Sequence, residues 1–352
     1  MTRLRPLVAL LALGWAVLVG CAPQPADPGA PDQSGAAQSP GTAAAGADAD
    51  AVTIGLTYIP NVQFSPVYVA EDHGLYAAEG LDATIRHHGS DEGLFTALVS
   101  GQEDVVIASG DEAMTARDQG MDLVSIGAYY RTYPGAVIVP ADSPIRSLAD
   151  LEGRSIGIPG EYGSNWYATL AAIQAGGLTA EDVDIVSIGY TQQAAIAQGQ
   201  VDAVLGFTNN DLVQMRRAGL DVRAIDLAPG DVPLVGASII TTRQWLDAHP
   251  DEAAAVVRAT AAGIDATIAD PQSAIDATRT RDETLTDEER LDTARAVLDE
   301  TIRLMRAPEG QALGEQDLAA WEAMADFLAS IPGLVQTRPD AEAAAVNLVP
   351  SR

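Results

Sequence analysis

The chain has 352 residues, 20 of them basic and 49 acidic, for a formal charge of −29, and only 5% are aromatic. Every basic residue is an arginine, which excludes Schiff-base chemistry and a lysine general base, and the acidic excess excludes nucleic acid, whose phosphates need clustered basic side chains. The one cysteine is Cys21, so no disulfide, zinc-thiolate site or thiol nucleophile is expected in the body of the protein.

The first residues read as a secretion signal: Arg3 and Arg5, an apolar stretch over 7–19, then small Gly20. The stretch is short of the roughly 20 apolar residues that a spanning helix needs. A cysteine directly after Leu18-Val19-Gly20 resembles the lipobox of bacterial lipoproteins, whose thiol receives a lipid before cleavage. Residues 1–20 are therefore read as a signal peptide and Cys21 as the lipidation site, because two or more acyl chains hold a protein stably to a membrane. The expected location is extracytoplasmic, on the outer face of the cell membrane, or in the periplasm of a cell with two membranes. Residues 22–50 contain only Ala, Pro, Gly, Asp, Gln, Ser and Thr. They cannot bury enough surface to offset the entropy of ordering and read as a tether reaching on the order of 30 Å.

From Val52 onward β-rich runs alternate with amphipathic segments, which predicts an α/β body with mostly parallel sheets. The order is strand 52–57, helix 66–78, strand 82–87, helix 91–100, strand 104–108, helix 111–119 and strand 122–128. A second series follows: strand 154–158, helix 165–175, strand 183–188, helix 191–198, strand 202–206, helix 210–218 and strand 221–225. The two series match in detail. Gly101-Gln102-Glu103-Asp104 before an apolar run corresponds to Gly199-Gln200-Val201-Asp202, and Ile54-Gly55 to Ile156-Gly157. Each copy is a helix ended by glycine, a turn and a buried strand, so two similar lobes are expected. Apolar runs at 136–139 and 234–241 suit strands crossing between them, giving a discontinuous first lobe, 51–137 plus 235–352, and an inserted second lobe, 138–234. The C-terminal part reads as helical, 243–269, a break at Asp270-Pro271, then 286–305 and 316–330. Val256, Val257, Ile264 and Ile268 recur at helical spacing and are assigned to packing on the first lobe.

Ligands of such sheets bind beyond the carboxyl ends of strands, in the cleft between lobes. The loops at those ends are rich in aromatics set among Asn, Gln, Ser and Thr, a combination that stacks a planar ring and reads its edge. The candidate ligand-binding residues are Tyr58, Asn61, Phe64, Ser90, Asp91, Ser109, Asp111, Tyr129, Tyr130, Asn165, Trp166, Tyr190, Thr191, Gln192, Phe207 and Asn209. Arg131 could pair with an anion, but Asp91, Glu92, Asp111 and Glu161 in the same loops would repel one. His87 and His88 point to opposite faces of a strand, and no H-E-x-x-H or G-x-S-x-G is present. No catalytic residue, metal ligand or cofactor is expected.

The lipobox and tether, with YIPNVQFSPVYVAEDHGLYAAEGLD from Tyr58, GQEDVVIASGDE from Gly101, DSPIRSLADLEGRSIGIPG from Asp142, GQVDAV from Gly199 and the N-N-D at Asn209, resemble solute-binding proteins of ABC importers. The similar group is shared by nitrate, taurine and sulfonate binders and by proteins that bind or make the pyrimidine half of thiamine. YIPNVQF and SIGYTQ, from Ser187, are most similar to its riboflavin- and thiamine-pyrimidine-binding branches. The resemblance implies a two-lobed fold of the type II periplasmic-binding class, no enzymatic activity, a small-molecule ligand, and delivery to a membrane permease and its ATPase, with a monomer as the expected state. The pyrimidine synthases of the group carry a cysteine-rich motif that this chain lacks, which argues against synthase activity. Riboflavin ranks first as ligand, a thiamine pyrimidine precursor second, and a small sulfonate or nitrate, or an enzyme or sensor role on the same fold, is the alternative.

Overall fold

The computed structural model describes residues 49–88, 93–227 and 232–348. Residues 1–48, on which the expected signal peptide, the Cys21 lipidation site and most of the expected tether fall, lie outside them. β1 (Asp50–Leu56) is followed by α1 (Ser65–Asp72), α2 (Leu75–Ala78), β2 (Leu81–His87), α3 (Leu94–Val99), β3 (Val105–Ser109), α4 (Gly110–Asp118) and β4 (Leu123–Ala128). The helix expected over 66–78 is split, because Gly74 adopts φ +65° and ends α1 in a left-handed turn.

The chain then crosses over. β5 (Gly135–Pro140) begins the second lobe, with β6 (Ser155–Ile158), α5 (Gly163–Ala175), β7 (Asp184–Ser187), α6 (Gln192–Ala197), β8 (Ala203–Phe207), α7 (Asp211–Arg217) and β9 (Val222–Asp226). β10 (Ala237–Thr242) returns to the first lobe, followed by α8 (Arg243–Ala248), α9 (Pro250–Ala269), α10 (Pro271–Arg279), α11 (Glu288–Met305), α12 (Leu318–Ser330) and α13 (Ala341–Ala344). Pro250 starts α9 and breaks the single helix expected over 243–269, since a proline restricts the residue before it.

Each lobe has a five-stranded sheet, ordered β2-β1-β3-β10-β4 in the first and β7-β6-β8-β5-β9 in the second. In each, four strands run in the same direction and the strand that has crossed from the other lobe is inserted antiparallel to both its neighbours. The crossing runs of the sequence thus form β5 and β10. The expected division at 137/138 falls inside β5, the whole of which pairs in the second sheet.

The repeated Gly-x-x-Asp has a structural use in both lobes. Gly101 and Gly199 take φ +73° and +62° after their helices. The Asp104 carboxylate accepts the Thr53 amide at 2.8 Å, and that of Asp202 accepts the Ser155 amide at 2.9 Å, each tying the turn to the adjoining parallel strand. Val256, Val257 and Ile264 of α9 join the first-lobe core. The later helices reach further: Trp321, Met324 and Leu328 of α12 pack in one cluster with Ile156, Ala171 and Leu205 of lobe two. No described helix is long and apolar enough to cross a membrane.

Candidate functional site

A cavity of about 680 Å³ lies between the carboxyl ends of the two sheets, within the ordinary range for small-molecule sites of roughly 300–1,000 Å³. Lobe one supplies Thr57 and Tyr58 after β1, Ile107 to Ser109 at the end of β3, and Tyr129, Tyr130 and Tyr133 from the crossover. Lobe two supplies Pro159, Tyr162, Ser164 and Asn165 at the start of α5, Tyr190 to Gln193 before and within α6, and Phe207 with Asn210 at α7.

Of the residues expected from the sequence, Tyr58, Phe64, Ser109, Tyr129, Tyr130, Asn165, Tyr190, Thr191, Gln192 and Phe207 line this cavity. Ser90 and Asp91 lie outside the described residues. Asn61, Asp111, Trp166 and Asn209 are not on its wall. Asn61 turns its carboxamide oxygen back to the Gln63 amide at 3.1 Å, capping a short 3-10 turn over Val62–Phe64. Trp166 packs against the core of lobe two. Asn209 is fully buried and donates to Gln63 Oε1 and Thr301 Oγ1, both at 3.0 Å, joining lobe two to lobe one. Arg131 donates to the Gln311 side chain and its amide to the Leu304 carbonyl, so its guanidinium does not serve the cavity.

The Tyr58 loop is held from beneath. Tyr58 has φ +82°, the one positive value at a described non-glycine residue, a costly conformation that surrounding contacts must fix. His87 does so: its Nδ1 donates to the Tyr58 carbonyl at 3.3 Å, so Nε2 accepts from the Tyr68 hydroxyl at 3.0 Å. Burial lowers the His87 pKa and keeps the ring neutral, as this pattern requires. Tyr129 is buried, donates to the Gln63 carbonyl at 2.9 Å and lies 5.3 Å from the Tyr130 ring. Lobe one therefore presents a fixed aromatic wall. Tyr162 and Tyr190 of lobe two are each 55% exposed, and Tyr190 faces Tyr58 across the mouth with ring centres 6.4 Å apart.

Beside the rings lies an acidic pair. Asp111 is turned under α4, where it accepts from Ser164 Oγ at 2.9 Å, Tyr133 Oη at 3.0 Å and the Glu112 amide at 2.7 Å. Glu112 is the member that reaches the cavity, and Ser164 Oγ lies 3.2 Å from its Oε2. Burial raises both carboxyls, Glu112 to about 7 with the neighbouring Asp111 charge as the second cause. Asp211, also on the wall, is raised by burial and accepts the Phe207 amide at 2.7 Å.

Gln63, Tyr133 and Tyr162 of the cleft loops also line the wall although they are not among the candidate residues, and reading only the loops missed Glu112, Asp211 and Gln214, which lie on α4 and α7. The spacing of Asp211, Gln214, Met215 and Ala218 holds a usable signal, since i, i+3, i+4 and i+7 share one helix face. The other histidines near the sheet are occupied elsewhere. His88 Nε2 contacts Glu103, which also takes Arg86 at 2.9 Å, and no described group of His, Cys, Asp and Glu could hold a metal.

The model of the NMT1/THI5-like family matches residues 61–274. The riboflavin-binding protein RibY of Chloroflexus aurantiacus is 35% identical over 227 residues, a stretch covering 64% of each protein. A 4-amino-5-hydroxymethyl-2-methylpyrimidine phosphate synthase of Uromyces fabae is 26% identical, covering 63% of this chain and 68% of that one. The formylaminopyrimidine-binding protein of Halalkalibacterium halodurans is 25% identical, covering 79% and 84%. Among solved structures, the alkanesulfonate-binding protein SsuA of Xanthomonas axonopodis superposes with a TM-score of 0.66 at 20% identity, over 86% of this chain and all of that one. The likeness to SsuA extends the two-lobed arrangement to a periplasmic-binding fold.

Proposed function

We propose, from the premise that this chain belongs to the NMT1/THI5-like family, that it is the solute-binding component of an ABC importer, taking up a planar, uncharged heteroaromatic compound. Riboflavin ranks first. The observation that carries this is the cavity wall: aromatic rings from both lobes, amides and hydroxyls between them, the acids Glu112 and Asp211, and among its residues no Arg, Lys or His. A sulfonate or nitrate would meet carboxyls and no cation, whereas a flat ring with N–H and C=O groups on its edge meets stacking faces and hydrogen-bonding partners of both kinds. The RibY relative supports the same ranking.

The formylaminopyrimidine-binding relative, matched over more of its length, keeps a thiamine pyrimidine precursor as the second ligand. We read the chain as a binder and not a synthase because His87 uses both ring nitrogens to hold Tyr58 and Tyr68, and His88 is paired with Glu103. Lipidation of Cys21 and docking of the body on a permease with its ATPase belong to this proposal. Calorimetric titration of the purified protein with riboflavin, the formylated pyrimidine and taurine tests it. One-to-one riboflavin binding is expected; pyrimidine binding alone would replace the ligand, and taurine binding alone would overturn the heteroaromatic reading.

A further inference from the structure

A second chamber, of about 610 Å³, adjoins the main cavity between α7 and α11. The two share Gln193, Asn210, Gln214 and Ala218 as wall residues, so the chamber lies directly against the cavity that holds the rings. Its chemistry differs from that of the cavity. None of its residues is aromatic, and amides and hydroxyls are spread along it, Asn210, Gln214, Thr284 and Thr293 among them.

Its charges argue about the class of group it takes. Arg217 and Arg290 face Asp282, Asp287 and Glu289, a balance of negative sign. Both guanidinium groups have protein partners: Arg217 donates to the Asp292 carbonyl at 3.1 Å, and Arg290 to the Thr284 carbonyl at 2.8 Å with Asp287 3.4 Å away. The start of α11 is capped by Asp287, which accepts the Arg290 amide at 3.0 Å, so the helix end is not left for an anion. A phosphate would displace these pairs and meet three carboxylates. A chain of hydroxyl groups needs no charge and can donate to carboxylates while accepting from amides.

We propose that this chamber is a second subsite for a neutral, hydroxyl-rich chain attached to the ring held in the main cavity. The inference rests on the flat-ring reading above and adds to it that the protein recognises ring and chain together.

Calorimetry with riboflavin, with lumichrome (the ring without the polyol chain) and with riboflavin 5′-phosphate separates the two claims. On the wild-type protein riboflavin should bind at least about tenfold tighter than lumichrome, and the phosphate at least about tenfold weaker than riboflavin. Thr293→Trp, which fills the chamber from α11 away from the rings, should remove most of riboflavin's advantage and leave lumichrome unchanged. Thr293→Leu, a smaller change for the case in which the tryptophan prevents folding, should do the same to a lesser degree. Equal affinity for lumichrome and riboflavin, or equal losses for both in the variants, would overturn the subsite while leaving the ring site standing. Tighter binding of the phosphate would make the chamber an anion site and overturn its assigned chemistry. Binding of none of the three flavins would overturn the subsite and riboflavin's first rank, while the flat-ring reading would then stand or fall with the pyrimidine titration.

Discussion

Gly55 in β1 and Gly157 in β6 occupy corresponding places in the two lobes, yet the groups against them differ in kind. A Cβ on Gly55 would lie 2.4 Å from the Glu103 carboxylate, whereas one on Gly157 would meet Ile188 at 2.7 Å and Val201 at 3.2 Å. The aligned turns make Glu103 the counterpart of Val201, and the strand registers make Arg86 and His88 the counterparts of Val186 and Ile188. Lobe one thus carries a buried ionic cluster where lobe two carries hydrocarbon, on the same frame of strands, glycine turns and aspartate ties. The shared parts set the fold, and the unshared parts lie close to the site: His88 directly follows His87, which holds the Tyr58 loop. A buried ion pair is weak evidence for stability. Its place beside the loop that carries the strained Tyr58 fits a role in fixing geometry.

Exchanging the two fillings breaks the comparison most directly. Val201→Glu buries an acid among Ile188, Ile196 and Leu212 with no cation provided, and should cost about 4 kcal/mol or more, read as a lowered denaturation midpoint. Glu103→Val leaves His88 buried without its carboxylate and should cost about 3 kcal/mol. Adding Arg86→Val and His88→Ile to it should recover part of that loss, since hydrophobic replacement of buried charged partners is commonly close to neutral, whereas the Arg86 side chain is 35% exposed. If that combined variant also binds ligand as the wild type does, the cluster has no part in setting the site.

What could be read from the chain follows the same division. The strands, the crossing runs that became β5 and β10, and the paired Gly-x-x-Asp turns are written in local pattern, and repetition doubled the signal. The aromatic loops were legible for the same reason: Tyr58, Tyr129, Tyr130 and Tyr190 follow strands and line the cavity. What could not be read was which neighbour faces inward. Asp111 and Glu112 are adjacent, and only packing decides that Asp111 turns under to Ser164 and Tyr133 while Glu112 reaches the cavity. Asn209 and Asn210 divide likewise, the first buried between lobes and the second on the wall. Trp166 shows the same difficulty, because a residue just inside a helix start can face either the cleft or the core, and here it packs half-buried against the core and is not on the cavity wall.

The fixed wall of lobe one and the exposed rings of lobe two should contribute unequally to binding. Tyr130→Ala should lower riboflavin affinity by about 10–100-fold, and Tyr190→Ala, whose ring is half in solvent, by about threefold. Trp166→Ala should leave affinity unchanged and lower the melting temperature, as expected for a half-buried residue packed against the core. Titration calorimetry alongside thermal melts checks all three, and equal losses at Tyr130 and Tyr190 would remove the distinction between the walls.

The smallest effect concerns the acid that touches both lobes. Glu112 has a folded-state pKa of about 7 against 4.5 in an unfolded chain, so the folded protein holds a proton that the unfolded chain releases between those values. Its contribution is therefore greatest below pH 4.5 and is lost as pH rises to about 7. Glu112→Gln carries the neutral form at every pH, so the variant should gain on the wild type by about 1–2 kcal/mol between pH 5 and 8, measured by denaturation across that range. Asp111 and Asp211 are also raised and stay in place; because Asp111 and Glu112 act on each other, the difference between the two proteins reports the titration of that pair, with Asp211 common to both. Affinity measured over the same range tests its use in binding: a neutral Glu112 can donate to a ring oxygen or nitrogen, whereas the charged form only accepts. A glutamine variant that binds riboflavin equally at pH 5.5 and 8, where the wild type changes, would place that switch in the Glu112 carboxyl, at the seam where α4 of lobe one meets Ser164 of lobe two.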